Sequence, residues 1–330
     1  MKYLKNNQLP TILPDWRGNP HDGQRFHYIH EPFYPSYRSL LKWQFSANPQ
    51  RAEKKMDDWA PALGNEFGYL KDKRQDCIAW LGHATFLIQL NGVRLITDPI
   101  FNGLPFLKRR VGLPFPLEQL TDIDYILLSH DHRDHCDKRS IKDLLKHNRP
   151  EKILAPLKLS NVIASWVGDI PIEEAAWYQT YRTEGVEVTF LPTRHWCRRG
   201  LFDFNRVLWG SFLIRAGNKQ IYFGADSGMG SHFEEIGRLF PDIQYAMIGI
   251  GAYKPSYMMQ EIHTNPAEAL QAFQQLGAEK LIPMHYGAYD LSDEPASEPY
   301  YEIQRHFDEA GLPGKLLLPA VGEAVEMSTL

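Results

Sequence analysis

A group of ligand-type side chains directly after an apolar run sets the strongest restriction on the fold of this chain. The run DYILLS (residues 124–129) is typical of a buried strand. The six residues that follow it carry the pattern HxHxDH, in which the ligand-type residues are His130, His132, Asp134 and His135. The fold must therefore present the end of this strand at a place where several polar side chains meet.

The HxHxDH segment has the spacing of a metal-binding loop. In an extended turn, residues 130, 132 and 134 point to one side, and a change of backbone direction can bring His135 beside them. Imidazole nitrogen together with carboxylate oxygen suits zinc, and also iron or manganese, whereas calcium and magnesium prefer oxygen alone. The sequence predicts two zinc ions; the alternative is an exposed histidine-rich loop without metal.

Three further polar residues follow apolar strands elsewhere in the chain. His195 follows VEVTFLPTR, Asp226 follows QIYFGA, and His285 follows KLIPM. Four side chains cannot complete the coordination shells of two ions, so a dinuclear centre needs such partners. We expect the three strand ends to converge on the HxHxDH loop.

Hairpins and β-α units alternate along the rest of the chain. CIAWLGHATFLIQL and VRLITDP are predicted to form a hairpin around the turn at Asn91-Gly92, and a second hairpin turns near Gly217-Asn218. Residues 266–277 are amphipathic and begin with proline, which predicts a helix. This mixture predicts sheets covered by helices, in a catalytic domain over residues 76–330.

Residues 1–75 show little periodicity and are predicted to be an extension that packs on this domain. One helix stands out within them, because Tyr37, Leu40, Leu41 and Phe45 share a helical face before Asn48-Pro49 ends it. We expect that face to pack against the protein.

Composition excludes several classes of protein. The chain has 36 Lys and Arg against 40 Asp and Glu, so its overall charge predicts no nucleic-acid partner. Its three cysteines predict no disulfide framework, and neither a signal peptide nor a transmembrane segment is recognisable. A cytoplasmic location follows as an expectation, with peripheral contact to a membrane left open.

At these motifs the sequence resembles the metallo-β-lactamase-fold hydrolases. Within that superfamily it is most similar to the N-acylphosphatidylethanolamine-hydrolysing phospholipase D group and its bacterial relatives. The stretches that carry the resemblance are WLGHATFLIQL, ITDPIF, LLSHDHRDH, TRHWCRR, RVLWGSF, FGADSG, FEEIG, IGAYKP and MHYG. The resemblance implies an α/β (α+β) fold, a four-layer αββα sandwich with the metals at one edge between the sheets.

The same resemblance assigns roles to individual residues. It implies that a first zinc is bound by His130, His132 and His195. It implies that a second is bound by Asp134, His135 and His285. Asp226 would bridge the two ions. The segment IHTNP around His263 departs from the group's pattern, which bears on the substrate.

Two divalent cations about 3.5 to 4 Å apart can share a water, which becomes a bridging hydroxide nucleophile. Asp134 and Asp226 stay ionised and are able to orient that water. His263, like His83, is either a hydrogen-bond partner of the substrate or a metal ligand, or a structural histidine. The predicted catalytic residues are Asp134, Asp226 and His263.

Four arginines lie within or beside the ligand loops: Arg133, Arg194, Arg198 and Arg199. Arginine holds phosphate oxygens with two donors, although each of the four can instead be solvated or paired with Asp131 or Asp137. Tyr253 and Tyr286 are weaker candidates for substrate contact. Cys136 is expected to pack or to support the ligands.

The segment FNGLPFLKRRVGLPFPL (101–117) interleaves apolar residues with Lys108, Arg109 and Arg110. Such a loop can enter a lipid interface while its cations meet headgroup phosphates. The alternative is an apolar loop packed on the protein. Its apolar members are Phe101, Leu104, Phe106, Leu107, Val111, Leu113 and Phe115.

The resemblance, together with the predicted metal centre, implies a metal-dependent phosphodiesterase of the phospholipase D type that acts on N-acylphosphatidylethanolamine-like phospholipids. One alternative is a lactonase or carboxylic ester hydrolase of the ascorbate-phosphate lactonase type, because the same nucleophile attacks carbonyl carbon. Another is a non-catalytic or redox member of the fold, although redox di-iron relatives usually have Glu at the position of His132. The partner is a small molecule or a phospholipid, and the sequence does not determine the oligomeric state.

Overall fold

The computed structural model describes residues 1–30, 33, 36–104 and 107–327. Its strands are β1 (Lys2–Leu4), β2 (Asn19–His21), β3 (Cys77–Trp80), β4 (Phe86–Leu90), β5 (Val93–Thr97), β6 (Tyr125–Leu127), β7 (Lys152–Pro156), β8 (Ile172–Ala175), β9 (Gln179–Thr180), β10 (Glu187–Leu191), β11 (Ser211–Ala216), β12 (Lys219–Phe223), β13 (Tyr245–Gly249), β14 (Lys280–Met284) and β15 (Ala324–Glu326). Its α-helices are α1 (Tyr37–Phe45), α2 (Arg51–Met56), α3 (Lys138–Leu144), α4 (Ser160–Val167), α5 (His232–Leu239), α6 (Ser256–Met259), α7 (Pro266–Leu276) and α8 (Glu298–Glu309). Short 3₁₀ helices span Gly68–Lys71, Leu117–Gln119 and Pro313–Lys315.

Two large mixed sheets form the centre of the molecule. The first has the strand order β15-β3-β4-β5-β6-β7-β8, and the second has the order β14-β13-β12-β11-β10-β9. The sheets face each other, since the ring of Phe86 on β4 lies 6.2 Å from that of Phe223 on β12. Apolar side chains from both inner faces fill the space between them, as expected for packed sheets.

Strand direction brings several strand ends to one edge. In the second sheet, β10 and β12 are each antiparallel to β11, and β12, β13 and β14 are parallel. The carboxyl ends of β10, β12 and β14 therefore lie at the same edge. In the first sheet, β5 and β6 are parallel and also end together. Loops that follow these strands are thus placed to share a site.

Helices cover the outer faces of the sheets. The helix α7 contacts β13, α5 and α8, whereas α3 and α4 contact each other and α4 contacts β8. A capping box at Asn265 and Glu268 begins α7, and Gly277 in the left-handed region ends it. The structure thus has the predicted order of helix, sheet, sheet and helix.

Several of the described residues before position 76 contact this core. Asn6 donates through its side chain to the Glu174 carbonyl at 2.8 Å, and Leu9 and Phe26 are buried. Trp43 of α1 donates to Asp293 at 3.0 Å. The predicted helix over residues 37–45 is present, but its apolar face does not pack as expected. Leu40, Leu41 and Phe45 are 43%, 53% and 82% exposed.

The segment 101–117 shows the opposite outcome. In its described part, Val111 and Phe115 are buried, and Arg109 donates to the carbonyls of Leu81, Ile100 and Val111. The packed alternative is therefore correct for these residues, and the lipid-entering one is wrong for them. Phe106 lies outside the described residues. Among the helices that are described, none is both long enough and apolar enough to cross a bilayer.

Candidate metal centre

All seven predicted metal ligands meet at the shared edge of the two sheets. They arrive from the loops after β6, β10, β12 and β14, the strands whose ends the topology places together. The donor atoms form overlapping groups in which every atom lies within 4.8 Å of the others. One group contains His130, His132, His195 and Asp226, and another contains His83, Asp134, His135 and His285.

The first group has three nitrogens and one oxygen at short separations. His132 Nδ1 lies 3.0 Å from His130 Nε2 and 3.2 Å from His195 Nε2. Asp226 Oδ2 lies 3.6 Å from His195 Nε2 and 3.9 Å from His130 Nε2. These separations suit four ligands around one ion with bonds of about 2.0 to 2.2 Å.

The second group adjoins the first through Asp226. Asp134 Oδ2 lies 3.7 Å from His285 Nε2 and 3.8 Å from His135 Nε2. Asp226 Oδ2 lies 3.1 Å from His135 Nε2, while its Oδ1 lies 3.2 Å from His285 Nε2. Asp226 therefore touches both groups, which is the position that the resemblance implies for a bridging carboxylate.

Several donor atoms of these groups are buried without a hydrogen bond. Within the described part of the chain, His135 Nε2, His285 Nε2 and Asp226 Oδ1 have no hydrogen-bond partner of acceptable geometry. Leaving such atoms unsatisfied costs about 1 to 3 kcal/mol each. Divalent cations among these nitrogens and oxygens would satisfy all three, so the residues present fit the predicted metal centre.

The protonation states also fit metal binding, which needs neutral imidazoles and ionised carboxylates. Burial holds the pKa of His130 and that of His195 well below the usual value. Burial would raise the pKa of Asp226, but the neighbouring histidines outweigh it and hold that pKa well below its usual range. Burial disfavours a proton on His135, yet Asp226 and Asp134 together keep its pKa well above normal. A bound cation would take the place of that proton.

Hydrogen bonds on the outer side of the histidines set their tautomers. Asp98, after β5, accepts from His135 Nδ1 at 2.8 Å and from the Ser129 hydroxyl at 2.5 Å. Because the Ser129 hydroxyl donates to Asp98, it accepts from His130 Nδ1 at 2.8 Å. His195 Nδ1 donates to the Ile262 carbonyl at 3.0 Å. Each of these histidines thus leaves Nε2 free for a metal.

The sequence did not single out Asp98. It stands in ITDP, where an aspartate before proline is typical of a turn. The available signal was its place after β5, which pairs with the strand that carries the HxHxDH loop.

His83 and His263 both lie beside the ligands. His83 Nε2 lies 3.2 Å from Asp134 Oδ2, and His263 Nδ1 lies 3.9 Å from Asp226 Oδ2. Burial lowers the pKa of His83 to about 3 and that of His263 to about 4, so both imidazoles are neutral near pH 7. Cys136 is buried, and its burial raises the pKa of the thiol, so it packs rather than ligating.

A cavity of about 430 Å³ opens next to the first group of ligands. His132 and His263 lie in its wall nearest the metal centre. Much of the remaining wall is apolar and comes from α1 and α6, from single residues before α1 and after α6, and from the loop after β10. The residues that contribute are Phe33, Leu40, Trp196, Tyr257, Met258, Met259 and Ile262.

The four arginines near the ligands have different surroundings. Arg199 donates to the carbonyls of Asp131 and Cys136 at 2.8 and 2.6 Å, and Arg194 donates to the Met229 carbonyl at 2.9 Å. Arg133 donates to the carbonyl of Arg199 at 3.3 Å. Arg198 instead lines the cavity, with its guanidinium 5.3 Å from the ring centroid of Trp196.

The two tyrosines considered as substrate contacts are held within the protein. Tyr253 donates to Glu298, and the ring of Tyr286 stacks on Trp80 at 4.9 Å. Of the polar side chains predicted to meet substrate, Arg198 and His263 therefore have the most direct access to the cavity.

Comparison with known proteins agrees with this geometry. The beta-lactamase superfamily domain matches residues 93–286. The chain is 34% identical to the N-acyl-phosphatidylethanolamine-hydrolyzing phospholipase D 1 of Caenorhabditis elegans, over 64% of this chain and 64% of that protein. It therefore spans slightly less than two thirds of that relative. It is also 26% identical to a UPF0173 metal-dependent hydrolase of Methanopyrus kandleri, over 76% of this chain and 99% of that protein.

Among solved structures, a metallo hydrolase from the archaeon Ignicoccus hospitalis superposes with a TM-score of 0.60 at 20% identity. The superposition covers 77% of this chain and 99% of that one, which shows a shared fold. The predicted fold class is thereby confirmed. The chain belongs to the metallo-β-lactamase superfamily of metal-dependent hydrolases.

Proposed function

We propose that the protein is a phosphodiesterase of the phospholipase D type that hydrolyses N-acylphosphatidylethanolamine-like phospholipids. The observation that carries this proposal is the position of an apolar cavity with one arginine, Arg198, directly beside a double group of metal ligands. The oxygen of a water would bond to phosphorus, the P–O bond to the N-acylated alcohol would break, and a proton from the water would pass to the departing oxygen, so that phosphatidic acid and the N-acylated alcohol are released. The similarity to the Caenorhabditis elegans phospholipase D supports the substrate class.

We further propose that the ligand groups hold two zinc ions. When bound, two such ions would supply Lewis acidity to the phosphoryl oxygens and lower the pKa of a water molecule. Asp226 contributes a carboxylate that reaches both groups, and Asp134 contributes a second one. Both stay ionised, since neighbouring histidines outweigh burial and hold their pKa values low, and so both are able to orient a water.

The cavity residues account for recognition of a charged lipid. Arg198 presents a cation to the phosphate, and its planar guanidinium pairs with two phosphate oxygens at once. Trp196, Met258 and Met259 offer apolar surface to acyl chains and exclude water from the phosphate. His263, neutral and beside Asp226, is placed to donate a hydrogen bond to the phosphate or to the departing oxygen.

The test is hydrolysis by protein prepared without chelator, with its metal content measured by mass spectrometry. N-acylphosphatidylethanolamine, phosphatidylcholine and an alkyl lactone are each supplied in detergent micelles. We expect about two equivalents of zinc and release of phosphatidic acid from the N-acylated lipid. Hydrolysis of the lactone with no phosphodiester cleavage would favour the carboxylic ester alternative and overturn the proposal.

A pair of variants separates phosphate recognition from stability. Arg198→Gln removes the cation from the cavity and is expected to raise KM for the phospholipid by about tenfold or more. Arg215→Gln, on β11 and paired with Glu187 at 2.6 Å, is the matched control and is expected to leave KM unchanged. An unchanged KM in Arg198→Gln would remove this residue from substrate binding.

A further inference from the structure

The helices α1 and α2 form an exposed basic arm, residues 36–56, beside the mouth of the cavity. Ser36, which caps α1, and Ser39 and Leu40 within it line the cavity together with Tyr257 of α6, so the arm and the cavity share a wall. The arm is fixed to the core, because Trp43 donates to Asp293 at 3.0 Å and Lys54 pairs with Asp290 at 2.5 Å.

The arm exposes several large apolar side chains. Leu41 and Phe45 stand one helical turn apart and are 53% and 82% exposed, and Met56 at the end of α2 is 78% exposed. Leu40, 43% exposed, connects this surface to the cavity. Transfer of these side chains from water into an apolar phase would be favourable in free energy.

Positive charge accompanies these apolar side chains. The arm contains five basic residues, Arg38, Lys42, Arg51, Lys54 and Lys55, and one acidic residue, Glu53. Its formal charge is thus +4, although the whole chain has a formal charge of −4. On α1, Arg38 and Lys42 are one turn apart and lie next to the row formed by Leu41 and Phe45. An apolar row bordered by cations is the pattern of a helix that lies in a membrane interface.

We propose that this arm docks the protein on an anionic phospholipid bilayer, with Leu41 and Phe45 inserted below the headgroups and the exposed cations Arg38, Lys42, Arg51 and Lys55 among the phosphates. Each cation near an anionic surface adds to the attraction, and a net-acidic molecule would then turn its basic face to the membrane. The cavity wall at Leu40 would be next to the lipid layer, so a phospholipid could pass from the bilayer to the metal centre without crossing water. Docking on the bilayer does not rest on the proposed function; only the passage of a phospholipid to the metal centre does.

The experiment is co-sedimentation of the full chain with vesicles that contain no N-acylphosphatidylethanolamine. We expect binding to phosphatidylcholine vesicles that contain phosphatidylglycerol, and a decrease as salt is raised. Leu41→Ser/Phe45→Ser should weaken binding by more than about tenfold. Arg38→Gln/Lys42→Gln should abolish the preference for phosphatidylglycerol.

The matched control is Leu63→Ser, since Leu63 is also 53% exposed but does not line the cavity. It should bind vesicles like the wild type, and melting temperatures should show that all variants fold. The proposal would be overturned if the wild-type protein did not bind these vesicles, or if the arm variants bound them as tightly as the wild type. Light scattering that shows a wild-type dimer and a monomeric Leu41→Ser/Phe45→Ser would also overturn it. Leu41 and Phe45 do not line the cavity, so hydrolysis in detergent micelles does not need them, and its failure would count against the proposed function alone.

Discussion

At the scale of single residues, Asp226 is the side chain that lies against both ligand groups. Its two oxygens lie 3.1 Å from His135 Nε2 and 3.2 Å from His285 Nε2, and Oδ2 also approaches His195. Asp226→Asn preserves the shape but removes the charge. We expect bound metal to fall by about half or more and kcat/KM to fall by at least about 1,000-fold, checked by mass spectrometry and initial rates. Near-normal activity with normal metal content would contradict the bridging role.

Asp98 acts one step away from the metal centre. It accepts from His135 Nδ1 and from the backbone N–H and hydroxyl of Ser129, so an amide at this position would break the pattern. Outer hydrogen bonds of this kind change metal affinity by about 10- to 100-fold when removed. Asp98→Asn should therefore weaken zinc binding within that range in a competition assay with a chromogenic chelator. An unchanged affinity for zinc would show that the His135 ring keeps its orientation without the Asp98 carboxylate.

His83 ties two ligands together. Its ring faces Asp134 at 3.2 Å, and its carbonyl accepts from the backbone N–H of His285 at 3.1 Å. Its φ of 55° is uncommon for a residue with a side chain, as often found where a position is fixed for function. We expect His83→Leu to weaken zinc binding by about tenfold and His83→Gln, which keeps a donor, to restore part of it. Equal zinc affinities in His83→Leu and His83→Gln would show that a hydrogen bond from residue 83 does not position the ligands.

The candidate metal ligands could be predicted from the sequence, but not all of the residues that support them could. His195, Asp226 and His285 were predictable because each follows an apolar run that ends at a sheet edge. The separate surroundings of Arg198 and Arg199 were not, because they depend on the path of the loop after β10. Neighbouring residues with one chemistry are told apart only by three-dimensional contacts.

At the scale of elements, the start of α7 holds the loop that carries His263. The Asn265 side chain accepts from the Glu268 N–H at 2.9 Å, and Glu268 accepts in return from the Asn265 N–H at 3.1 Å. Asn265→Ala should lower the free energy of unfolding by about 1 kcal/mol, measured by urea denaturation. Asn161→Ala, within α4 and without a capping role, is the control. A loss no larger than that of the control would show that packing alone sets the start of α7.

Two elements show that the sequence pattern predicts a helix or a loop better than it predicts whether the apolar side chains of that element are buried. The helix α1 was predicted correctly, yet its apolar row is exposed. Its spacing did not predict this exposure, because an apolar stripe at helical spacing fits a protein core and a membrane surface equally. The segment 101–117 has a similar mixture of apolar and basic residues, but in its described part Val111 and Phe115 are buried. Arg109 there satisfies backbone carbonyls, which composition does not reveal.

At the scale of the whole molecule, the topology of the two sheets explains why residues far apart in sequence meet. The loop with His130 follows a strand of the first sheet, whereas His195, Asp226 and His285 follow strands of the second. The alternation of hairpins and β-α units predicted two covered sheets, but not which strand pairs with which. That order depends on long-range pairing, such as β15 with β3, which local patterns do not encode.

Because both sheets contribute ligands, bound metal should stabilise the entire molecule. Buried atoms such as His285 Nε2 and Asp226 Oδ1 have no hydrogen bond among the described residues, and bound cations would link the two sheets through them. A ligand at about a hundredfold above its Kd adds roughly 2.7 kcal/mol to the stability of the folded state. We expect a chelator to lower the melting temperature by several degrees and added zinc, but not magnesium, to restore it, since nitrogen ligands favour zinc. The shift should shrink in Asp226→Asn. Identical melting curves with and without chelator would mean that the two sheets are not joined through metal.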